Sequence, residues 1–258
     1  MPTATSALLD ALAGGAVRVV DLTQPLSERT PVIQLPPPFA NTPPLSRRTL
    51  SRYDENGPAW AWDVLELGEH TGTHLDAPVH WITGRDGDDV ASIPVEHLVG
   101  PAVVVDRTAE AEADPGYLLT VADLEGFEAE HGTLPAGGWV LFRTGWGARA
   151  QDPGAFLNVG PAGPVTPGPD AEAARWLATE REIVGFGVET VGIDAGAAGG
   201  MDPPFPVHHH LLGQGRYGLT QLANLEALPV TGAVIVVAPL RLVGGTGSPV
   251  RALALVPA

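Results

Sequence analysis

HTGTHLDAPVHW, His70–Trp81, holds three of the chain's eight histidines and an aspartate, with no lysine or arginine. His70, His74 and Asp76 fall at even positions, as do Gly72, Pro78 and His80. Side chains of an extended strand alternate between faces, so even positions share one side. The spacing therefore predicts a strand that presents two imidazoles and a carboxylate together, with Gly72 leaving room between the histidines. Thr71, Thr73 and Leu75 point the other way. Two histidines and one carboxylate suit a divalent transition ion such as Mn or Zn. A helical zinc motif also has histidines four apart. Thr-Gly-Thr makes a poor helix interior, Pro78 follows closely, and no glutamate follows His70. A plain polar strand would explain a pair of histidines. It explains less well three histidines and an aspartate in one register.

The composition narrows the setting. With 258 residues, the chain is long enough to bury a full core. A net charge of −16 opposes binding to a phosphate backbone or an anionic bilayer, so neither nucleic acid nor membrane is expected as a partner. There is no cysteine, which excludes disulfides, thiolate ligands and a thiol nucleophile. Any metal must be held by nitrogen and oxygen. The first residues lack a basic stretch before an apolar one, and no apolar run reaches ~18 residues. A cytoplasmic enzyme is the simplest reading.

Along the chain, residues 4–13 read as a helix with Leu8, Leu9 and Leu12 on one face. AVRVVDLTQPLS opens as a strand. The proline-rich TPVIQLPPPFANTPPLS reads as a loop that folds over a site or a neighbouring subunit, because Val32, Ile33, Leu35 and Phe39 are poor linker residues. Strands are expected in AWAWDVLELG, with a bend at Gly68, and in PAVVVDRT and GGWVLFRTGW. TVADLEGFEAEHG reads as a helix capped by Thr120 with Asp123 three residues on, and His131 at its end is structural. Residues 151–168 read as a surface loop, followed by a helix with Pro169 near its start. EIVGFGVETVGIDAG predicts two short strands or one broken strand, and the C-terminal stretch predicts two core strands around a Gly-rich turn. Strands interleaved with helices indicate an α/β class. The expected organisation is a single domain over 1–258, with residues 1–50 including an arm that contacts another subunit.

A second cluster lies at MDPPFPVHHHLLGQG. His208, His209 and His210 cannot all face one way, and His208 and His209 are the candidates for further ligands. Gln221 follows in LTQLANL, where its amide oxygen is a modest ligand for Mn or Zn. Asp194, in VGIDAG, reads as a turn cap through its carboxylate. Trp81, Trp62, Trp60 and Phe205 are candidates for an aromatic substrate wall.

HTGTHLDAPVH resembles the HxGTHxDxPxH signature of the cyclase-like metal-dependent hydrolases, a superfamily that includes bacterial kynurenine formamidase and isatin hydrolase. DLTQPLS, VGIDAG, HHHLLGQG and LTQLANL follow in that family's order, so the resemblance spans most of the chain. It implies a swivelling β/β/α fold with a mixed sheet and flanking helices. It also implies hydrolysis of a C–N bond in a small amide, imide or lactam. By the same resemblance His70, His74 and Asp76 bind metal and His80 carries protons. A downstream histidine, at 208 or 209, joins them. Gln221 stands where the formamidase branch has a glutamate that completes a two-metal site, so one ion is expected, Mn first and Zn as the alternative. TPVIQLPPPF lacks the tryptophan of the formamidase branch, which weighs against N-formylkynurenine as substrate. A cyclase or dehydratase on the same scaffold is the alternative enzyme, and a non-catalytic metal-binding protein the third reading. The resemblance further implies a homodimer or homotetramer.

Overall fold

The computed structural model describes residues 3–35 and 37–258. Valine-rich and alternating runs become strands: β1 (Val17–Asp21), β2 (Ser46–Arg52), β3 (Ala61–Glu66), β4 (His74–Asp76) and β5 (Val99–Asp106). β6 (Trp139–Arg143), β7 (Gly185–Val188), β8 (Tyr217–Thr220), β9 (Ala233–Pro239) and β10 (Gly247–Pro257) follow. Eight of these form one sheet in the order β1-β10-β9-β5-β6-β7-β8-β4. β5 through β8 run parallel and the other pairs antiparallel, so the sheet is mixed, as expected. β10 pairs with β4 at Gly247–Pro249, with β9 from Val250 and with β1 from Leu253. Because β4 also pairs with β8, the sheet closes on itself.

Alternation along the strands builds two cores. Val104, Leu141, Leu219, Ile235, Ala252 and Ala254 fill the closed interior. Val103, Val140, Phe142 and Phe186 point outward beneath two helices. Each fully buried leucine, such as Leu141, contributes roughly 1.5–3 kcal/mol. The covering helices are α3 (Val121–His131) and α5 (Ala171–Thr179); α1 (Ala4–Ala13), α2 (Thr108–Ala113) and α4 (Pro153–Leu157) complete the set. Thr120 and Asp123 satisfy each other's backbone amides at the start of α3, the capping box expected there. Among the described residues, no helix is long and apolar enough to cross a membrane.

Several local expectations change. Residues 70–80 are not one strand: His70 lies in a turn, only His74–Asp76 is extended, and Pro78–His80 coils into a 3-10 turn. Gly72 adopts φ +65°, and a Cβ there would lie 2.3 Å from Leu26, so it serves the bend and not a gap between the histidines. Residues 151–168 contain α4 and a short strand pair. Pro169 precedes the Asp170 cap of α5 instead of opening the helix. EIVGFGVETVGIDAG carries one strand, β7. α1 forms, but Leu8, Leu9 and Leu12 stay exposed.

Candidate metal centre

The site is built on β4, which is pinned on both edges. On one side Asp76 faces Gly218 and His74 faces Thr220; on the other they face Gly247 and Pro249. The two glycines make the room. A Cβ on Gly218 would lie 2.8 Å from Asp76 Oδ2, and one on Gly247 would lie 2.4 Å from His70 Cε1. The turn before β4 swings His70 back over the strand. His70, His74 and Asp76 thereby offer three ligand atoms within 4.8 Å of one another. His70 Nδ1 is 2.7 Å and His74 Nε2 3.3 Å from Asp76 Oδ1.

His74 is oriented from behind. Its Nδ1 lies 2.7 Å from the Gly72 carbonyl, which can only accept, so Nδ1 carries the proton and Nε2 turns its lone pair toward Asp76. The Asp76 carboxyl is wholly buried. Burial raises its pKa, but protons shared with the His74 ring and then with the His70 ring outweigh this and hold it well below the usual carboxylate range. A divalent cation is the natural substitute for those shared protons, and two imidazole nitrogens with one carboxylate oxygen fit Mn or Zn.

His80 and His208 flank this group. The His80 ring sits 3.9 Å from that of His70 and 5.5 Å from that of His208. Burial drives the His80 pKa down to about 3, with the neighbouring histidines adding to the fall against the pull of Asp76. His208 is tied through Nδ1 to Asp194, whose carboxylate also accepts from the backbone N–H groups of Val207 and His208. Burial disfavours the His208 cation, but the bond to Asp194 and its charge raise the pKa above the usual value. Trp81 lies 4.7 Å from His208 and meets Phe205 edge-on at 5.6 Å, so these two rings wall the same space.

Three further expected site residues have other neighbours. Gln221 directly follows Thr220, and its side-chain oxygen is buried without a partner among the described residues. Gln221 has φ +54° at the end of β8, and its amide donates to the Pro31 carbonyl at 3.4 Å. His209 packs edge-on against His210, because successive residues of the π-helical turn His208–Leu212 point in different directions. Of the two, His208 is the one whose ring neighbours His80 and Trp81. Trp62 is exposed on the hairpin, where its ring meets Trp60 at 6.4 Å and no ring of the site. Asp194, read as a turn cap, does cap backbone amides but also holds His208. Gly218, Gly247 and Thr220 went unread. Their only sequence signal is glycine or threonine in a strand. A separate cleft of about 380 Å³ lies between β5, β9 and the end of α3, lined mainly by apolar and backbone groups.

The chain belongs to the Cyclase family (described as "Putative cyclase"), whose model matches residues 20–195. Within that family it is similar to the isatin hydrolase of Roseibium aggregatum, with 49% identity over 99% of this chain and 98% of the relative. It is 33% identical to the kynurenine formamidase of Salinibacter ruber over 73% of this chain and 77% of that protein. The crystal structure of an isatin hydrolase bound to the product analogue thioisatinate superposes with a TM-score of 0.96, at 48% identity, covering 100% of both chains.

Proposed function

We propose that this chain is a metal-dependent hydrolase that opens the C–N bond of a small amide, imide or lactam of the isatin type. The observation that carries the reading is the convergence of His70, His74 and Asp76 beside His80, in a chain that matches an isatin hydrolase along nearly its whole length. The formamidase alternative has lower identity over a shorter span, and TPVIQLPPPF has no tryptophan.

His70, His74 and Asp76 would hold one divalent ion, Mn first and Zn as the alternative. A single ion is supported by the one convergent group of histidine and acidic side chains among the described residues, His70, His74 and Asp76. When bound, the ion makes water nucleophilic near neutral pH and polarises the substrate carbonyl. The balance is simple. Water oxygen joins the carbonyl carbon, the C–N bond breaks, and the nitrogen leaves with a proton, giving a carboxylate and an amine. His80, neutral in its buried position, takes a proton from the water and returns one to the leaving nitrogen. Asp194 fixes one nitrogen of His208, so the other is free to meet the carbonyl oxygen or the new carboxylate. Trp81 and Phe205, in edge-on contact with each other, form one aromatic wall on which a flat ring would pack.

The test is turnover of isatin by Mn-loaded protein in ¹⁸O-labelled water. Ring opening with one labelled oxygen in the new carboxylate is expected, and His80→Ala is expected to lower kcat by roughly 10²–10⁴ while Mn stays bound. An intact ring with Mn bound overturns the substrate class. A cyclised product without label supports the cyclase alternative, and faster cleavage of N-formylkynurenine supports the formamidase.

The proposal also covers assembly: a single domain over 1–258, a cytoplasmic location and a homodimer or homotetramer. Leu8, Leu9 and Leu12 of α1, Phe39 of the proline-rich arm, and Tyr53, Trp60, Trp62 and Leu65 of the hairpin are exposed, an apolar display that supports a second copy covering them.

A further inference from the structure

His70 has a second hydrogen bond that the triad does not use. Its Nε2 lies 2.9 Å from Thr246 Oγ1. The Thr246 hydroxyl donates its single proton to Glu69 Oε2 at 2.7 Å, and the Thr246 backbone N–H donates to the same oxygen at 3.0 Å. A hydroxyl whose proton is spent can only accept from the ring. His70 Nε2 must therefore be the protonated nitrogen, and Nδ1 faces Asp76 Oδ1 at 2.7 Å with its lone pair. Two acceptors at that separation need a proton or a cation between them. The main chain fixes Thr246 as well, since the Ala77 N–H donates to its carbonyl at 2.9 Å.

From this chain of bonds we infer that Thr246 and Glu69 are positioning residues that hold His70 in the tautomer binding metal through Nδ1, while His74 binds through Nε2. Glu69, Thr246 and His70 form a relay from carboxylate to hydroxyl to imidazole. A carboxylate at its far end makes the ring a stronger donor, and outer partners of this kind commonly govern metal affinity by 10–100-fold. The inference rests on the metal reading above.

The experiment titrates metal-free protein with Mn²⁺ alone, reading free ion by electron paramagnetic resonance, and measures the Tm of each metal-free protein. Thr246→Val keeps the shape and removes the acceptor. Its Kd for Mn²⁺ is expected to rise roughly 10–100-fold with little change in metal-free Tm, and Thr246→Ser is expected to restore wild-type affinity. Glu69→Gln is expected to raise the Kd by about threefold to tenfold, and carries the test if T246V fails to fold. Wild-type affinity in folded T246V, or in E69Q where only that variant folds, overturns the relay alone. A wild-type protein that takes up neither Mn²⁺ nor Zn²⁺ overturns the metal reading itself.

Discussion

β3 and β4 are neighbours in sequence and opposites in setting. β4 consists of His74, Leu75 and Asp76, all buried, with a partner strand on each edge. Among the described residues β3 pairs only with β2, and Trp62, Val64 and Leu65 lie in solvent. The ordinary partition is inverted at both: ionisable groups are inside and large apolar groups outside. Burying a charge is costly unless it is paired, and exposing an apolar patch forfeits its burial. Each inversion is accounted for if something outside the chain completes it, a cation at β4 and a second copy at the hairpin.

The comparison breaks first at Asp76. Asp76→Asn is expected to abolish Mn²⁺ uptake in titration and to leave no measurable turnover, with the closed sheet retained by circular dichroism. Turnover that survives would mean that β4 buries its charges for another purpose. The second break is at the hairpin. Trp62→Ser with Leu65→Ser is expected to lower the mass seen by light scattering to that of one chain, with Mn²⁺ affinity changed less than about twofold. An unchanged mass would assign the exposed face to something other than self-association.

A smaller effect sharpens the contrast by probing a pair that needs no outside group. Hydrogen bonds from Arg181 hold the Glu128 carboxyl below its ordinary pKa, against partial burial. A folded value below the unfolded one stabilises the protein above the ordinary pKa of about 4.3, and that stabilisation is lost as pH falls through the folded value. Arg181→Met is expected to lower stability at pH 7 by under about 1 kcal/mol in urea melts, and by less at pH 3. A loss that grew on acidification would contradict the sign.

The triad itself was legible in the sequence, though for an imperfect reason. The even spacing of His70, His74 and Asp76 assumes an extended chain, but His70 reaches its partners through a turn at Gly72. The capping box at Thr120 was legible because both partners lie within one helical turn. Thr246, Gly247 and Gly218 were not, since strand register decides what they face and register leaves no mark in local spacing. The left-handed backbone at Gln221, just past β8, was not legible either, since glutamine carries no signal for a positive φ. Three histidines in a row cannot be ordered without the phase of the turn that carries them.

The pairing of β10 with β4 has a consequence for biosynthesis. His70 and Thr246 are 176 positions apart, and nearly every other strand of the closed sheet lies between them. Contacts of such span form late, because a long loop must be ordered before they reward it. A ribosome stalled between Asp76 and Thr246 would hold a nascent chain that already displays the triad but lacks the strand that pins it. Competence for metal thus arrives with the closing strand, and half-made copies stay inert.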